Sequence, residues 1–352
     1  MPRPKDAVDS RQKEGAVQTT SPRRRDSNQG TLSPLRRCGR RGNGLVRAAF
    51  GEPSLSQDDT PNIIVDPQWG FQRLDPIPSN EELADYYQSK YYHAIKKGGR
   101  GLQLNRLMSG GQEAEKTRMW LEHALYDAVI DALKAAPGHK VLDVGCGTGE
   151  LVEYLSSQGC DAHGVEPAEA AVEFAQSRGI SVECGDLGGH LKANPSIRYD
   201  AIVFLNVIEH SPEPTVLLQQ AYGALKPGGL VICRVPNDFS PIQEVAQLAI
   251  AGRPWWIVVP DHINYFNFET FPPVLERLGF QVLDTFGDYP MEFFLLMNRN
   301  YVEDPEVGKA CHQERMRIEM SLSSEQLRAV QRGYARAGIG RNAHFVAQKP
   351  QD

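Results

Sequence analysis

Asp143 stands two residues before Gly145-Cys146-Gly147-Thr148-Gly149, within the stretch VLDVGCGTGELVEYL (141–155). An apolar run ends at the first glycine, and a helical repeat of apolar residues begins after the last, so the segment reads strand, tight loop, helix. Glycines belong where a turn is tight and a ligand must approach the backbone. The N–H groups opening the helix favour an anionic group. Two ligand classes suit such a loop. A nicotinamide dinucleotide asks for G-x-G-x-x-G, but the spacing is G-x-G-x-G and Glu150 occupies the third glycine's place. Asp143 separates the two: it repels a pyrophosphate and attracts an ammonium by a few kcal/mol at an effective dielectric of about 20. S-adenosyl-L-methionine carries that ammonium, a carboxylate for the loop and a sulfonium. Glu166, 21 residues beyond Gly145, ends the second strand and can accept both ribose hydroxyls of any nucleoside. Asp186 ends the third strand, where it can accept an adenine amino hydrogen while Leu187 offers a backbone amide. Capping a helix is the competing role for both acids.

These residues need a frame of strands and helices. Short apolar runs at 140–145, 161–166, 181–185, 200–206, 229–235, 280–286 and 344–349 predict strands. Helices are predicted near 149–158, 168–178, 213–225 and 270–278, with Gly159, Gly179 and Pro227-Gly228-Gly229 as stops. Alternation of the two predicts a parallel sheet covered on both faces, binding ligands at the strands' carboxyl ends. Trp120, Leu121, Leu125, Val129 and Leu133 mark an amphipathic helix over 112–135, and Ser79 with Glu82 fits a capping box. Residues 1–60 read as a basic disordered tail, 61–136 as a helical cap, and 137–352 as the main domain, interrupted by insertions at 236–268 and 287–343. Both insertions are expected to hang over the strand ends as lids, the second with two helices and a capping box at Ser323 and Gln326.

The ordered set VLDVGCGTG, GVEP, GD, YDAIVFLNVIEH and LKPGGLVICRVPN resembles the successive motifs of the class I S-adenosylmethionine-dependent methyltransferases. The similarity covers roughly 139–286, and the branch it most resembles contains the ubiquinone-biosynthesis O-methyltransferases. The resemblance implies a Rossmann-like α/β fold: a seven-stranded, mostly parallel sheet with helices on both faces and an antiparallel strand at one edge, which 344–349 would supply. It implies that Asp143, Gly145, Cys146, Gly147, Gly149, Glu166, Pro167, Asp186, Leu187 and Asn206 line the cofactor, with Arg118 as a partner for the methionine carboxylate.

Methyl transfer to a hydroxyl needs alignment and a base. Asn206, Glu209 and His210, in NVIEHSPEP, follow the fourth strand, where an acceptor approaches. Relatives on the ubiquinone branch carry Glu-x-x-Glu-His there with a divalent cation. Asn206 replaces the first glutamate by a weaker, uncharged ligand, so no metal is expected. His210 is one candidate base. His262, among Trp255, Trp256, Tyr265 and Phe266, is the other. Glu292, His312 and Arg315 in the second insertion can read a polar acceptor, and Met291, Phe293, Phe294, Leu295 and Leu296 suit core or a homodimer face. Tyr86, Tyr87, Tyr91 and Tyr92, with Lys96 and Lys97, can close the pocket from the other side.

Charge bounds the partners. Residues 1–50 hold 12 Lys/Arg against 4 Asp/Glu, so the other 302 residues carry −14 of a total of −6. An acidic body argues against a nucleic-acid partner. Six scattered cysteines with no C-x-x-C pair read as reduced thiols, and no run of about 18 apolar residues predicts a membrane span. The expected setting is the cytoplasm, with organellar import by the basic tail left open. The reading is a methyltransferase for a small-molecule hydroxyl. Its alternatives are a catalytically inactive cofactor-binding partner subunit and an NAD-dependent oxidoreductase, the latter disfavoured by Glu150 and Asp143. Deleting residues 1–55 is expected to leave folding and activity intact, and an insoluble product would show instead that the tail is structural.

Overall fold

A computed structural model describes residues 61–86, 111–250 and 252–351. The chain divides into units Met1–Asn43 and Gly44–Asp352, and every described residue belongs to the second. The predicted tail (1–60) and Tyr87, Tyr91, Tyr92, Lys96 and Lys97 lie outside the described residues.

The central sheet is built from β3 (Lys140–Val144), β4 (Asp161–Glu166), β5 (Val182–Cys184), β6 (Tyr199–Leu205), β7 (Leu225–Pro236), β9 (Gln281–Gly287) and β10 (Asn342–Gln348). Its order is β5-β4-β3-β6-β7-β10-β9. β3 pairs in parallel with β4 on one side and β6 on the other, so the chain's direction of travel reverses there. That switch point opens a crevice at the carboxyl ends of the strands, beside Asp143. The expected antiparallel edge is the β10–β9 pair, with β10 running antiparallel to both β7 and β9. β6 reads YDAIVFL and is buried for six residues, as a central strand covered on both faces must be.

Helices alternate with the strands: α4 (Glu150–Ser157), α5 (Glu169–Ser177), α6 (Leu187–Ala193), α7 (Pro214–Ala224), α8 (Pro241–Ile250) and α9 (Phe271–Arg277). α6 was not among the predicted helices. LGGHLKA carries two glycines, and Asp186 stabilises its start as N-cap, accepting from Gly189 N at 2.7 Å. The second insertion holds three helices where two were predicted: α10 (Glu292–Leu296), α11 (Pro305–Met320) and α12 (Ser324–Ala337). α12 opens with the expected capping box between Ser323 and Gln326. Among the described residues no helix is long and apolar enough to cross a membrane.

The stretch 61–136 is not wholly helical. It starts with a hairpin, β1 (Ile63–Val65) and β2 (Gln72–Leu74), and β2 pairs antiparallel with β8 (Asn264–Tyr265) from the first insertion. Strands of two or three residues are too short to show a period of two. α1 (Asn80–Tyr86) follows, with Ser79 and Glu82 in the expected reciprocal bonds. The long helix before β3 comes as α2 (Gln112–Leu121), a π turn at Glu122–Tyr126 and α3 (Asp127–Leu133). The π turn has a cause in α12. Arg328 donates to the carbonyls of His123 (2.6 Å) and Ala124 (3.3 Å), and Gln331 donates to Ala124 O at 3.1 Å. Donors inserted from another helix satisfy carbonyls that the widened turn withdraws from the α-helical ladder.

A buried polar hub joins β7, β10, α11 and the end of β9. Asp288, 3% exposed, takes Arg234 at 2.6 Å, His344 at 2.7 Å, Asn342 at 2.7 Å and Arg315 at 3.4 Å. Burial opposes the charge, yet Arg234, His344 and Arg315 hold its carboxyl well below its ordinary value. A depressed acid stabilises the fold above the ordinary carboxylate range, and that contribution is lost as pH falls through the native value. Glu292 and Arg315, expected to read an acceptor, are committed here and nearby: Glu292 is buried against Arg341 at 3.0 Å, and Arg315 also holds Glu319 at 3.1 Å. Asp288→Asn is expected to cost about 3–5 kcal/mol, because it strands buried guanidiniums without a counter-charge. Urea unfolding at neutral pH measures this, and a loss under 1 kcal/mol (about fivefold) would show the hub to be dispensable.

Candidate active site

Side chains alternate along β3. Leu142 and Val144 pack on one face of the sheet, and Val141 packs on the other with Trp120, Leu125 and Tyr126. Asp143 therefore belongs to the face under the π turn. It is 3% exposed, and burial, then Glu166 and Glu150, push its carboxyl well above the usual value. Tyr126 faces the same acids: burial, then Glu150 and Asp143, raise its hydroxyl. Arg118 shares a cleft with Glu122, Tyr126, Glu150 and Glu153 and lies 3.7 Å from Glu115.

The glycine loop turns directly over this acid. Gly145 has φ +70°, and a Cβ there would stand 2.5 Å from Val207 Cγ2. Gly147 has φ +57° and looks onto space with no atom within 4 Å, so the backbone itself is presented to a ligand. Glu166 ties the loop down. Its two oxygens accept Gly147 N and Ala168 N, each at 2.9 Å, while burial raises its carboxyl against those two donors. Lone pairs remain on each oxygen for a ribose hydroxyl. Gly185 N donates to Glu166 O at 3.0 Å, which sets the end of β5, with Asp186, beside the same pocket edge.

The other expected cofactor residues take more local roles. The Cys146 thiol packs over Gly164, where a Cβ would stand 2.5 Å from it, so only its backbone serves the loop. Gly149 begins α4 in the left-handed conformation. Pro167 is exposed, the Leu187 side chain is in the core, and the Asp186 carboxylate caps α6. Asn206, at φ +59°, sits at the tip of β6, but its amide is engaged. Its oxygen accepts from Arg234, and its nitrogen donates to Glu209 Oε1 at 3.1 Å.

Across Val207 the 3₁₀ turn Ile208–His210 meets the first insertion. His210 Nδ1 lies 2.6 Å from the Asp261 carbonyl oxygen, and its Nε2 lies 3.6 Å from Glu209 Oε1. The His210 and His262 rings are 5.1 Å apart, edge to face. The two candidate bases, 52 positions apart in the chain, thus form one cluster with Glu209, whose ligand-type atoms lie within 4.8 Å of one another. Backbone bonds fix the pairing: Ile263 N donates to Glu209 O at 2.9 Å, and Asn264 Nδ2 donates to Ser211 O at 2.7 Å. Phe239, Trp255, Trp256 and Tyr265 wall this side at ring separations of 4.9–5.7 Å. Tyr86, from α1, is close enough for the Asp261 carboxylate to raise its hydroxyl further after burial. The Arg234 guanidinium thus brings a positive charge directly against Asn206.

Sequence reasoning passed over Tyr126, Arg234 and Asp238. Asp238 is 2% exposed, and burial lifts its carboxyl to about 8, with Arg341 opposing and Glu209 adding to the rise. An acid two residues beyond a strand's carboxyl end, in VPND, was the available signal. Arg234 and Tyr126 gave none, because each reads as an ordinary member of its strand or helix.

Residues 118–285 match the family described as "Methyltransferase domain". The ubiquinone biosynthesis O-methyltransferase of Pseudomonas savastanoi pv. phaseolicola (strain 1448A / Race 6) is 36% identical over 113 residues, 31% of this chain and 49% of that protein. That of Leptothrix cholodnii (strain ATCC 51168 / LMG 8142 / SP-6) is 35% identical over 112 residues, 29% of this chain and 48% of the relative. The chain thus spans about half the length of the curated relatives it matches. A SAM-dependent methyltransferase from Archaeoglobus fulgidus is similar in structure at 20% identity and a TM-score of 0.45, covering 71% of this chain and all of that one. The motif set, the sheet order and the matched domain agree on a class I methyltransferase domain over residues 118–285, with S-adenosylmethionine as its cofactor.

Proposed function

We propose that the protein transfers a methyl group from S-adenosylmethionine to the hydroxyl oxygen of a small-molecule acceptor. One observation carries this reading: Val207 touches Gly145 on one side, and its turn leads into the Glu209–His210–His262 cluster on the other, so a cofactor cradle and a basic cluster share one wall. The similarity to two ubiquinone biosynthesis O-methyltransferases supports oxygen as the accepting atom.

The pocket's residues fit the cofactor. Asp143 would meet the ammonium, the Gly145–Gly149 backbone the amino-acid carboxylate, Glu166 the ribose, and the Asp186–Leu187 turn the adenine. When bound, S-adenosylmethionine supplies an electrophilic methyl group. The chain's own residues supply the proton path. The Asp261 carbonyl accepts a hydrogen bond from His210 Nδ1–H, which leaves the Nε2 lone pair as the base. Glu209, fully buried and held by Asn206, stabilises the imidazolium that forms when Nε2 accepts the acceptor's proton. His262 packs on the His210 ring and fixes its angle, and Asp238 adds a second buried acid beside Glu209. The aromatic wall excludes water from the acceptor side.

Two outcomes test this. An ammonium requires Asp143 as carboxylate, and its carboxyl is raised well above the ordinary value, so binding should weaken, with proton release, as pH falls through that native value. Calorimetry with S-adenosylhomocysteine in buffers of different ionisation enthalpy measures the release. Asp143→Asn should lower that affinity by at least about tenfold, or 1.4 kcal/mol, and equal affinity would remove the ammonium assignment. His210→Asn should lower kcat with a hydroxyl acceptor by roughly 10²–10⁴ and leave S-adenosylhomocysteine affinity within about twofold. Labelled product formed from a metabolite extract by the wild type, and equally by His210→Asn, would exclude His210 as the base.

A further inference from the structure

At the opposite side of the sheet from β9, two histidines converge on one carboxylate that the methyl-transfer reading does not use. His163 from β4, Glu183 from β5 and His190 from α6 bring their ligand-type atoms within 4.8 Å of one another. His163 Nε2 is 3.3 Å from Glu183 Oε2, and His190 Nδ1 is 2.6 Å from Glu183 Oε1. The two rings lie 5.7 Å apart at 30°.

The far nitrogen of each ring is held by a hydroxyl. His163 Nδ1 is 2.8 Å from Ser181 Oγ, and His190 Nε2 is 2.6 Å from Tyr199 OH. A metal-binding imidazole needs its other N–H fixed in this way, because the outer partner selects the tautomer that turns a lone pair toward the ion. Hydroxyl partners suit either tautomer, since each can accept an N–H or donate to a bare nitrogen. Two imidazoles and one carboxylate form a donor set that borderline divalent ions such as Zn²⁺ prefer, with a fourth position left for water. Tetrahedral bonds of about 2.0–2.2 Å need the three donors closer together than 4.8 Å. The side chains of His163 and Glu183 are 30% and 38% exposed and can move to contract the site, while His190, at 3%, is the fixed anchor.

We propose that His163, Glu183 and His190 form a divalent transition-metal site, selective for Zn²⁺ over Mg²⁺, that clamps β4, β5 and α6 together. The ion replaces direct His–Glu contacts with three bonds from three separate elements. The clamp stands apart from the Glu209–His210–His262 cluster and does not depend on the assignment of the reaction.

The test uses the full chain stripped of metal, in a His262→Gln background that disables the other histidine cluster. Zn²⁺ titration, followed by calorimetry and by melting temperature, should show saturable one-to-one binding and a rise in melting temperature, with Mg²⁺ giving neither. Co²⁺ in the same site should show tetrahedral visible bands without thiolate charge transfer. Adding His163→Gln should cut Zn²⁺ affinity by more than tenfold while leaving the metal-free melting temperature unchanged. Glu183→Gln provides a second variant should the first alter folding. Unchanged Zn²⁺ affinity in both variants, or no saturable binding in the His262→Gln background, overturns the proposal.

Discussion

Carboxylates crowd the carboxyl ends of the central strands, and the rest of the site is arranged around their cost. Asp143 is 3% exposed, and its two strongest neighbours, Glu166 and Glu150, share its sign. Taking a carboxylate out of water is unfavourable by several kcal/mol when no cation or donor compensates. Glu166 is compensated by two backbone amides, one of them from the glycine loop it braces. Asp143 lacks that compensation and its carboxyl is pushed well up, so the positive group of the proposed ligand would relieve it. The same arrangement disfavours a diphosphate.

The Asp288 hub shows the opposite use of burial. There the negative charge is surrounded, and the surplus of positive charge reaches outward through Arg234 to the tip of β6. Asn206 is thereby held at φ +59° with its amide nitrogen turned to Glu209. The strand that closes the sheet is part of this device, because β10 contributes both His344 and Asn342 to Asp288. An antiparallel strand inserted late in the chain thus fixes a turn formed some 140 residues earlier, as its Asn342–Asn206 contact shows directly.

The two halves of the site differ in how they are made. The cofactor half is a run of strand ends and the loops that follow them, each element adjacent in sequence to the next. The proposed acceptor half is assembled from α1, the turn after β6 and the first insertion, which follows β7. Its parts are pinned by backbone bonds from Ile263 and by the short β2–β8 pairing. A wall of this kind can change its lining without disturbing the cradle.

Local chemistry made the cofactor half readable from the sequence. Apolar runs bounded by glycines specify strands and stops, and all seven strands of the large sheet lie where those runs predict them. The G-x-G-x-G spacing with Asp143 before it is the local signal from which the proposed ammonium contact is read. What tertiary structure alone decided is everything that depends on a distant partner. Asp186 and Glu166 keep their predicted places, but only the fold shows the first capping α6 and the second bracing the loop. His210 and His262 read as rival bases, and the fold joins them. Asn206 reads as a cofactor residue, and Arg234 takes its amide. The π turn exists because Arg328 and Gln331 reach it from about 200 residues away. Periodicity reports which face of an element is buried, since burial acts on each residue separately. It is silent on which buried polar group meets which, because that depends on pairwise distances that only chain closure sets.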